Sequence, residues 1–121
     1  MIEVLTGFPD SVAAFAAKGH VSKEDYDNVL IPKVKEILGR RKKVRCYYEL
    51  GPEFSRIDPG AAWEDLKLGL EHLSRWERVA VVTNVDWIRI ALNVFRFLVP
   101  GEMRVFATNE ASEARRWITA E

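Results

Sequence analysis

The apolar and polar residues of this chain switch between the period of a strand and the period of a helix. Residues 2–6 alternate apolar with polar side chains, and residues 11–20 predict a second strand antiparallel to the first. Residues 44–50 are rich in β-favouring side chains, and the continuous apolar run at 78–83 is typical of a central strand. Residues 103–107 complete a set of five predicted strands.

Four predicted helices fit between and after these strands. The first starts at Ser22, a hydroxyl N-cap followed by acidic residues, and continues to Gly39. Pro32 lies inside this helix and should kink it, because the proline nitrogen has no hydrogen to donate. The other helices are predicted over residues 61–76, over residues 85–99 and from Thr108 onward.

The stretch from Gly51 to Gly60 holds two prolines and two glycines, so it predicts an irregular loop, a kind of segment that often carries function. The complete order is β-β-α-β-α-β-α-β-α. Strands alternating with helices imply parallel neighbours joined by right-handed crossovers. The sequence therefore predicts one α/β domain over residues 1–121, with a mixed, mostly parallel sheet of about five strands and four helices.

The helix at residues 85–99 is unusually apolar. Its polar side chains fall within an arc of roughly 80° on a helical projection, and the other positions are apolar; these polar residues are Asp86, Arg89, Asn93 and Arg96. Burying one large apolar side chain is worth about 1.5–3 kcal/mol, so most of this helix must be covered. The domain core, a second subunit, a ligand or a membrane surface would each serve.

Composition narrows the class of protein. The chain has 121 residues, and its 18 basic and 18 acidic side chains balance, which argues against a nucleic-acid partner. The single cysteine, Cys46, excludes an internal disulfide, suits a reducing cytosol and reads as a core side chain. The N-terminus lacks a signal-peptide pattern, and residues 85–99 would reach only about 22 Å as a helix. We therefore expect a cytoplasmic domain.

No catalytic, cofactor or metal-binding signature is evident. The sequence has no glycine-rich phosphate loop, no nucleophile elbow and no metal-ligand spacing, since His20 and His72 stand far apart. His72 projects opposite the apolar stripe of its helix, which favours solvent exposure. The basic run Arg40–Lys43 is able to contact anionic phosphates, but a solvated turn at a helix end explains it more simply. We expect a protein that is not an enzyme.

The chain resembles the SpoIIAA-like family, small bacterial domains with the fold of STAS domains (sulfate transporters and anti-sigma-factor antagonists). The order and spacing of several short motifs from about Gly19 to Ile118 carry this resemblance. The motifs are Asp25-Tyr26, Pro32, Tyr47-Tyr48-Glu49, Trp63-Glu64-Asp65, Arg78-Val79-Ala80-Val81-Val82-Thr83, Trp87-Ile88-Arg89, Pro100-Gly101, Val105-Phe106, Ala114 and Trp117-Ile118.

The resemblance implies a non-enzymatic, often dimeric domain that binds an apolar small molecule or lipid and reaches membranes by movement of an apolar helix. For this chain we expect a homodimer. The inner membrane surface would then be its peripheral location. Arg89 and Arg96 would meet phosphate head groups. The ligand, membrane or dimer face would consist of Trp87, Ile88, Leu92, Phe95, Phe97, Leu98 and Val99.

The alternative function is that of a protein-interaction regulator of the anti-sigma-factor-antagonist kind. In those proteins, a partner kinase phosphorylates a serine in an Asp-Ser-Ser-Gly motif that leads into a helix. The matching segment here reads Asp58-Pro59-Gly60 and has no hydroxyl. Ser55 is the candidate phosphate acceptor that remains in this region.

Overall fold

The computed structural model describes residues 1–62, 67, 71, 73–98 and 101–120, apart from the side chains of Leu73, Phe95 and Leu98. Five strands form one sheet in the order β1-β2-β3-β4-β5. The strands are β1 (Ile2–Val4), β2 (Val12–Val21), β3 (Val44–Ile57), β4 (Trp76–Thr83) and β5 (Glu102–Phe106). β1 pairs antiparallel with β2, and all later pairs are parallel. The predicted α/β fold with a mixed, mostly parallel sheet is confirmed.

Four helical regions follow in the predicted places. Helix α1 joins the segments Lys23–Asp25, Tyr26–Leu30 and Ile31–Arg40. Helix α2 begins at residues 59–62, and residues 67 and 71 are also helical. Helix α3 spans Asp86–Phe95 and ends in the 3₁₀ turn Arg96–Leu98, and helix α4 spans Ala111–Thr119 after the 3₁₀ turn Thr108–Glu110.

Helix α1 starts as the sequence predicts and then departs from α geometry. The Ser22 hydroxyl accepts a hydrogen bond from the Asp25 N–H, and the Asp25 carboxylate accepts one from the Ser22 N–H, which completes a capping box. The segment Tyr26–Leu30 is a π-helical turn, closed by the Ile31 N–H donating to the Tyr26 carbonyl. Pro32 lies two residues after Leu30, so the break in α-helical bonding occurs in the turn before the proline.

The prediction of an irregular loop over residues 51–60 is wrong for most of its length, because β3 continues to Ile57. β4 pairs with β3 only as far as Leu50. Beyond that point β3 pairs with β2 alone, after a register shift around Gly19. Pro52 is tolerated there, because the proline nitrogen has no hydrogen to donate and neither a strand edge nor a bulge requires that hydrogen bond.

The boundaries of α2 also differ from the prediction. The helix begins at Pro59, where the missing N–H costs nothing, and the Ala62 N–H donates to the Asp58 carbonyl at 3.0 Å. The predicted helix ran to Trp76, but this residue begins β4 and pairs with Val44. The motif Trp63-Glu64-Asp65 and His72 lie outside the described residues.

Helices pack on both faces of the sheet. Since the strands succeed one another in order, right-handed crossovers place α1 and α3 on the same face. The core of that face includes Phe15, Val34 and Ile37. The opposite face carries α4, whose Ala114 and Ile118 pack into a second cluster of buried side chains.

Two arginines from the sheet hold the carboxyl end of α4. Arg45 Nη1 donates to the carbonyls of Ile118 at 2.9 Å and Ala120 at 2.5 Å. Arg78 Nη1 donates to the carbonyls of Trp117 at 2.9 Å and Ala120 at 3.1 Å. These carbonyls are the unsatisfied acceptors of a helix end, so the two guanidinium groups both cap α4 and join it to the sheet.

Candidate functional site: the outward side of helix α3

The start of α3 is fixed to the end of β4. The Thr83 hydroxyl accepts a hydrogen bond from the Val85 N–H at 3.1 Å, and the Arg89 N–H donates to the Val85 carbonyl at 3.0 Å. Arg89 Nη1 then reaches back to the Thr83 carbonyl at 2.8 Å. Arg89 is half-buried, and this hydrogen bond holds the start of the helix. The contact of Arg89 with a lipid head group stays a prediction.

The inner side of α3 packs on the core. Ile88 is only 8% exposed, and the half-buried Leu92 and Val85 pack against the same core cluster. Both Ile88 and Leu92 were predicted to belong to a ligand or dimer face. The structure instead places them between the helix and the sheet, where they attach α3 to the domain.

The outer side of α3 exposes large apolar side chains to solvent. Ile90 lies about 160° around the helix from both Ile88 and Leu92, so it points away from the core. The exposed fractions are 59% for Trp87, 67% for Ile90, 67% for Val94 and 80% for Phe97. We call these four residues the outward face.

Charged and polar residues border the outward face along one side. Asp86, Asn93 and Arg96 are exposed. The Arg96 guanidinium lies 5.2 Å from the centroid of the Phe97 ring, within the range of a cation–π contact. The helix thus has three sectors: one on the core, one apolar and exposed, and one polar.

The predicted site residues do not all lie on the outward face. Trp87 and Phe97 belong to the outward face, whereas the side chains of Phe95 and Leu98, and Val99 altogether, lie outside the described residues. Ile90 and Val94 were missing from the predicted set. Their spacing from Trp87, three and seven residues, was a detectable signal: it defines a second apolar stripe beside the one that carries Ile88 and Leu92.

The remaining residues considered from the sequence are Ser55, His20 and Cys46, and each has a defined position in the structure. Ser55 is exposed, but it lies within β3 and not at the start of a helix. His20 is not isolated, since its Nε2 lies 2.5 Å from Asp58 Oδ1. Cys46 is buried, as predicted. Among the described residues, no group of three or more His, Cys, Asp or Glu side chains is placed to hold a metal ion.

Tyr47 is fully buried under α4, and its environment favours the protonated phenol. Burial raises the pKa of Tyr47 to about 12, and the hydrogen bond that its hydroxyl donates to Glu49 at 2.8 Å acts in the same direction. A neutral phenol in this position is a hydrogen-bond donor within the core.

The chain is similar to known proteins in both sequence and structure. The SpoIIAA-like family model matches residues 12–119. An uncharacterised protein of the DUF3478 family from Shewanella loihica PV-4, described as having a SpoIIAA-like fold, is similar in structure with a TM-score of 0.74 and 27% identity. The similarity covers 98% of this chain and 92% of that one. No curated protein matches the chain. Within the described residues, no helix has both the length and the apolar character needed to cross a bilayer.

Proposed function

The chain belongs to the SpoIIAA-like family, and from this premise we propose that it is a non-catalytic domain that binds lipid membranes reversibly through the outward face of α3. One observation carries the proposal: four large apolar side chains on a single helix stripe are 59–80% exposed. Isolated exposed apolar residues are ordinary, but a continuous row of this kind indicates an interaction surface.

The energy available from this face is sufficient for reversible binding. Complete burial of a large apolar side chain yields about 1.5–3 kcal/mol, so covering the exposed parts of these four would yield about 4–8 kcal/mol in total. That range corresponds to weak or moderate association, before any contribution from charge.

The size and chemistry of the outward face favour a lipid surface over a second copy of the chain. Its four side chains expose roughly 500 Å² of apolar surface, which is less than the ~800 Å² per partner of a standard protein interface. Aromatic residues stand near both ends of the stripe, at Trp87 and Phe97, with Arg96 beside the latter. Interfacial helices combine aromatic side chains and flanking cations in this way.

Co-sedimentation with vesicles tests the proposal. Vesicles that contain phosphatidylglycerol should pellet the wild type, and Ile90→Asp should abolish this because it puts a charge at the centre of the apolar stripe. Val4→Asp is the matched control, since Val4 is also an exposed aliphatic residue (40%) but lies on β1. Wild-type protein that remains in the supernatant, and that carries no lipid in native mass spectrometry, would refute the proposal.

Light scattering separates the two possible covers of the outward face. A membrane-binding face predicts that the protein without lipid has the mass of one chain at micromolar concentration. A mass of two chains that Ile90→Asp converts to one, while Val4→Asp does not, would assign the face to a homodimer and contradict lipid binding as its main role.

A further inference from the structure

A second surface with a distinct chemistry lies at the edge of the sheet where the parallel strands begin. It is a cleft of about 480 Å³. Its lining is Ser11, Arg41, Lys42, Lys43, Arg45 and Glu77. Four of these side chains are cationic and one is anionic, although the whole chain has a net charge of zero. The positive charge is therefore a local feature of this cleft.

The four cations of the basic run at the end of α1 are all exposed, but they differ in ion pairing. Arg40 forms an ion pair with Glu36 at 2.9 Å, and its Nη2 donates to the carbonyl of Asp10 at 3.4 Å. Arg41, Lys42 and Lys43 are exposed, and no carboxylate in the described part of the chain forms an ion pair with them. Three adjacent like charges repel one another, and a bound anion relieves that repulsion.

Arg75 organises the loop that carries these three cations. Its guanidinium donates to the carbonyls of Leu38 at 2.7 Å, Arg41 at 2.8 Å and Lys42 at 3.1 Å. These carbonyls include the negative end of α1, which would otherwise repel an anion. Because Arg75 covers them, the loop backbone is held in place and its negative end is neutralised.

The carboxylate of the cleft is also neutralised. Glu77 Oε1 accepts a hydrogen bond from Arg45 Nε at 2.5 Å, and this Arg45 side chain is only 16% exposed. The positive charges of Arg41, Lys42 and Lys43 are therefore not balanced by a carboxylate of the cleft lining. Ser11, at the start of the neighbouring strand, adds a hydroxyl that is able to donate a hydrogen bond.

We infer that this cleft binds an anionic phosphate group. The ammonium groups of Lys42 and Lys43 supply charge, and the Arg41 guanidinium supplies paired donors to phosphate oxygens. The phosphate group would belong either to a free phosphorylated molecule or to a lipid head group. The inference rests on the cleft and not on the outward face of α3.

Calorimetric titration with inorganic pyrophosphate at about 50 mM salt tests this site, since Coulombic binding weakens at higher salt. The wild type should bind saturably, and the triple variant Arg41→Gln/Lys42→Gln/Lys43→Gln should bind at least tenfold more weakly. The variant keeps the loop, because Arg75 contacts only backbone carbonyls there. Its Tm should match that of the wild type.

A control variant separates the site from net charge. Lys35→Gln/Arg56→Gln/Arg116→Gln removes three exposed cations outside the cleft and should change pyrophosphate affinity by less than twofold. Absence of wild-type binding, or an equal loss in this control, would overturn the inference.

Vesicles then identify the source of the phosphate. If the cleft variant also loses binding to phosphatidylglycerol vesicles, the natural ligand is a head group. If it loses pyrophosphate alone, the ligand is a free phosphate compound. Both results support the site. If the wild type binds pyrophosphate but neither pellets with vesicles nor carries lipid in native mass spectrometry, the membrane proposal is refuted and the cleft inference stands.

Discussion

Two isoleucines on α3 allow the orientation of the helix to be tested with one chemical change. Ile88 is 8% exposed and Ile90 is 67% exposed, although only one residue separates them. Ile88→Ala and Ile90→Ala remove the same atoms from the same helix and change helix propensity equally. Any difference between the two variants therefore reports where each side chain lies.

Ile88→Ala should act on stability. Deletion of a buried isoleucine to alanine costs about 2–5 kcal/mol, because transfer energy is lost and a cavity remains. For a domain of this size each kilocalorie per mole lowers Tm by about 3–6 °C, so a fall of roughly 6–30 °C is expected. Vesicle binding by the fraction that stays folded should change little.

Ile90→Ala should act on binding. An exposed substitution alters stability by less than about 0.5 kcal/mol. Removing three carbons, of which two-thirds are available to lipid, should cost about 1.6 kcal/mol of binding free energy, or a roughly 15-fold lower partition coefficient.

Thermal melts and vesicle co-sedimentation of both variants, with the wild type alongside, measure the two effects. The expected result is a crossed pattern, with one variant unstable and the other unable to bind. If Ile90→Ala lowers Tm as much as Ile88→Ala, the outward orientation of Ile90 is refuted. If both variants bind vesicles as the wild type does, the outward face does not contact lipid.

Three further predictions concern the rest of the fold. Gly101→Ala should lower the free energy of unfolding by at least about 1–3 kcal/mol, because the added Cβ would overlap the backbone carbonyl oxygen of Trp76. A thermal melt measures this, and an unchanged Tm would contradict the close approach. Arg78→Gln should lower the free energy of unfolding by about 1–3 kcal/mol and speed amide exchange at the carboxyl end of α4; unchanged exchange would contradict its capping role. The raised pKa of Tyr47, about 12 against an ordinary 10.0, contributes stability that is complete below pH 10 and lost as pH rises towards 12. Alkaline absorbance titration against Tyr47→Phe checks this, and ionisation of that phenol near pH 10 would contradict it.

Local patterns predicted the architecture well because each strand and most helices carry their own signals. The continuous apolar run at 78–83 was identified as a central strand, and β4 indeed pairs with a strand on each side. Ser22 was identified as a cap, and it forms the capping box. These features depend on neighbours in sequence, so a single sequence reveals them.

The extension of β3 depends on tertiary pairing and was therefore missed. Gly51 and Pro52 are turn residues by local chemistry, but Phe54 and Ile57 pair with β2 across a bulge. Gly19 makes this possible: its φ of 57° places it in the left-handed region, where side chains are disfavoured. The continuation of β3 past Pro52 is therefore evident only from its pairing with β2.

The division of α3 into two apolar sides illustrates the same limit. A helical projection identified the excess of apolar positions, but it gave no direction for the core. Ile88 and Leu92 lie on one side, and the equally apolar-looking pattern of Ile90 and Val94 lies on the other. The number of apolar residues indicates that more than one side of such a helix needs contact partners. Packing on the sheet determines which side stays exposed.

The two edges of the sheet limit how copies of this chain associate. β1, one edge strand, has only three residues, and β5, the other, exposes the charges of Glu102 and Arg104. Short and charged edges discourage the addition of a strand from another molecule. Growth of the sheet from one molecule into the next is thus disfavoured at both ends. Self-association, where it occurs, is therefore expected to use other surfaces, of which the outward face is the apolar candidate.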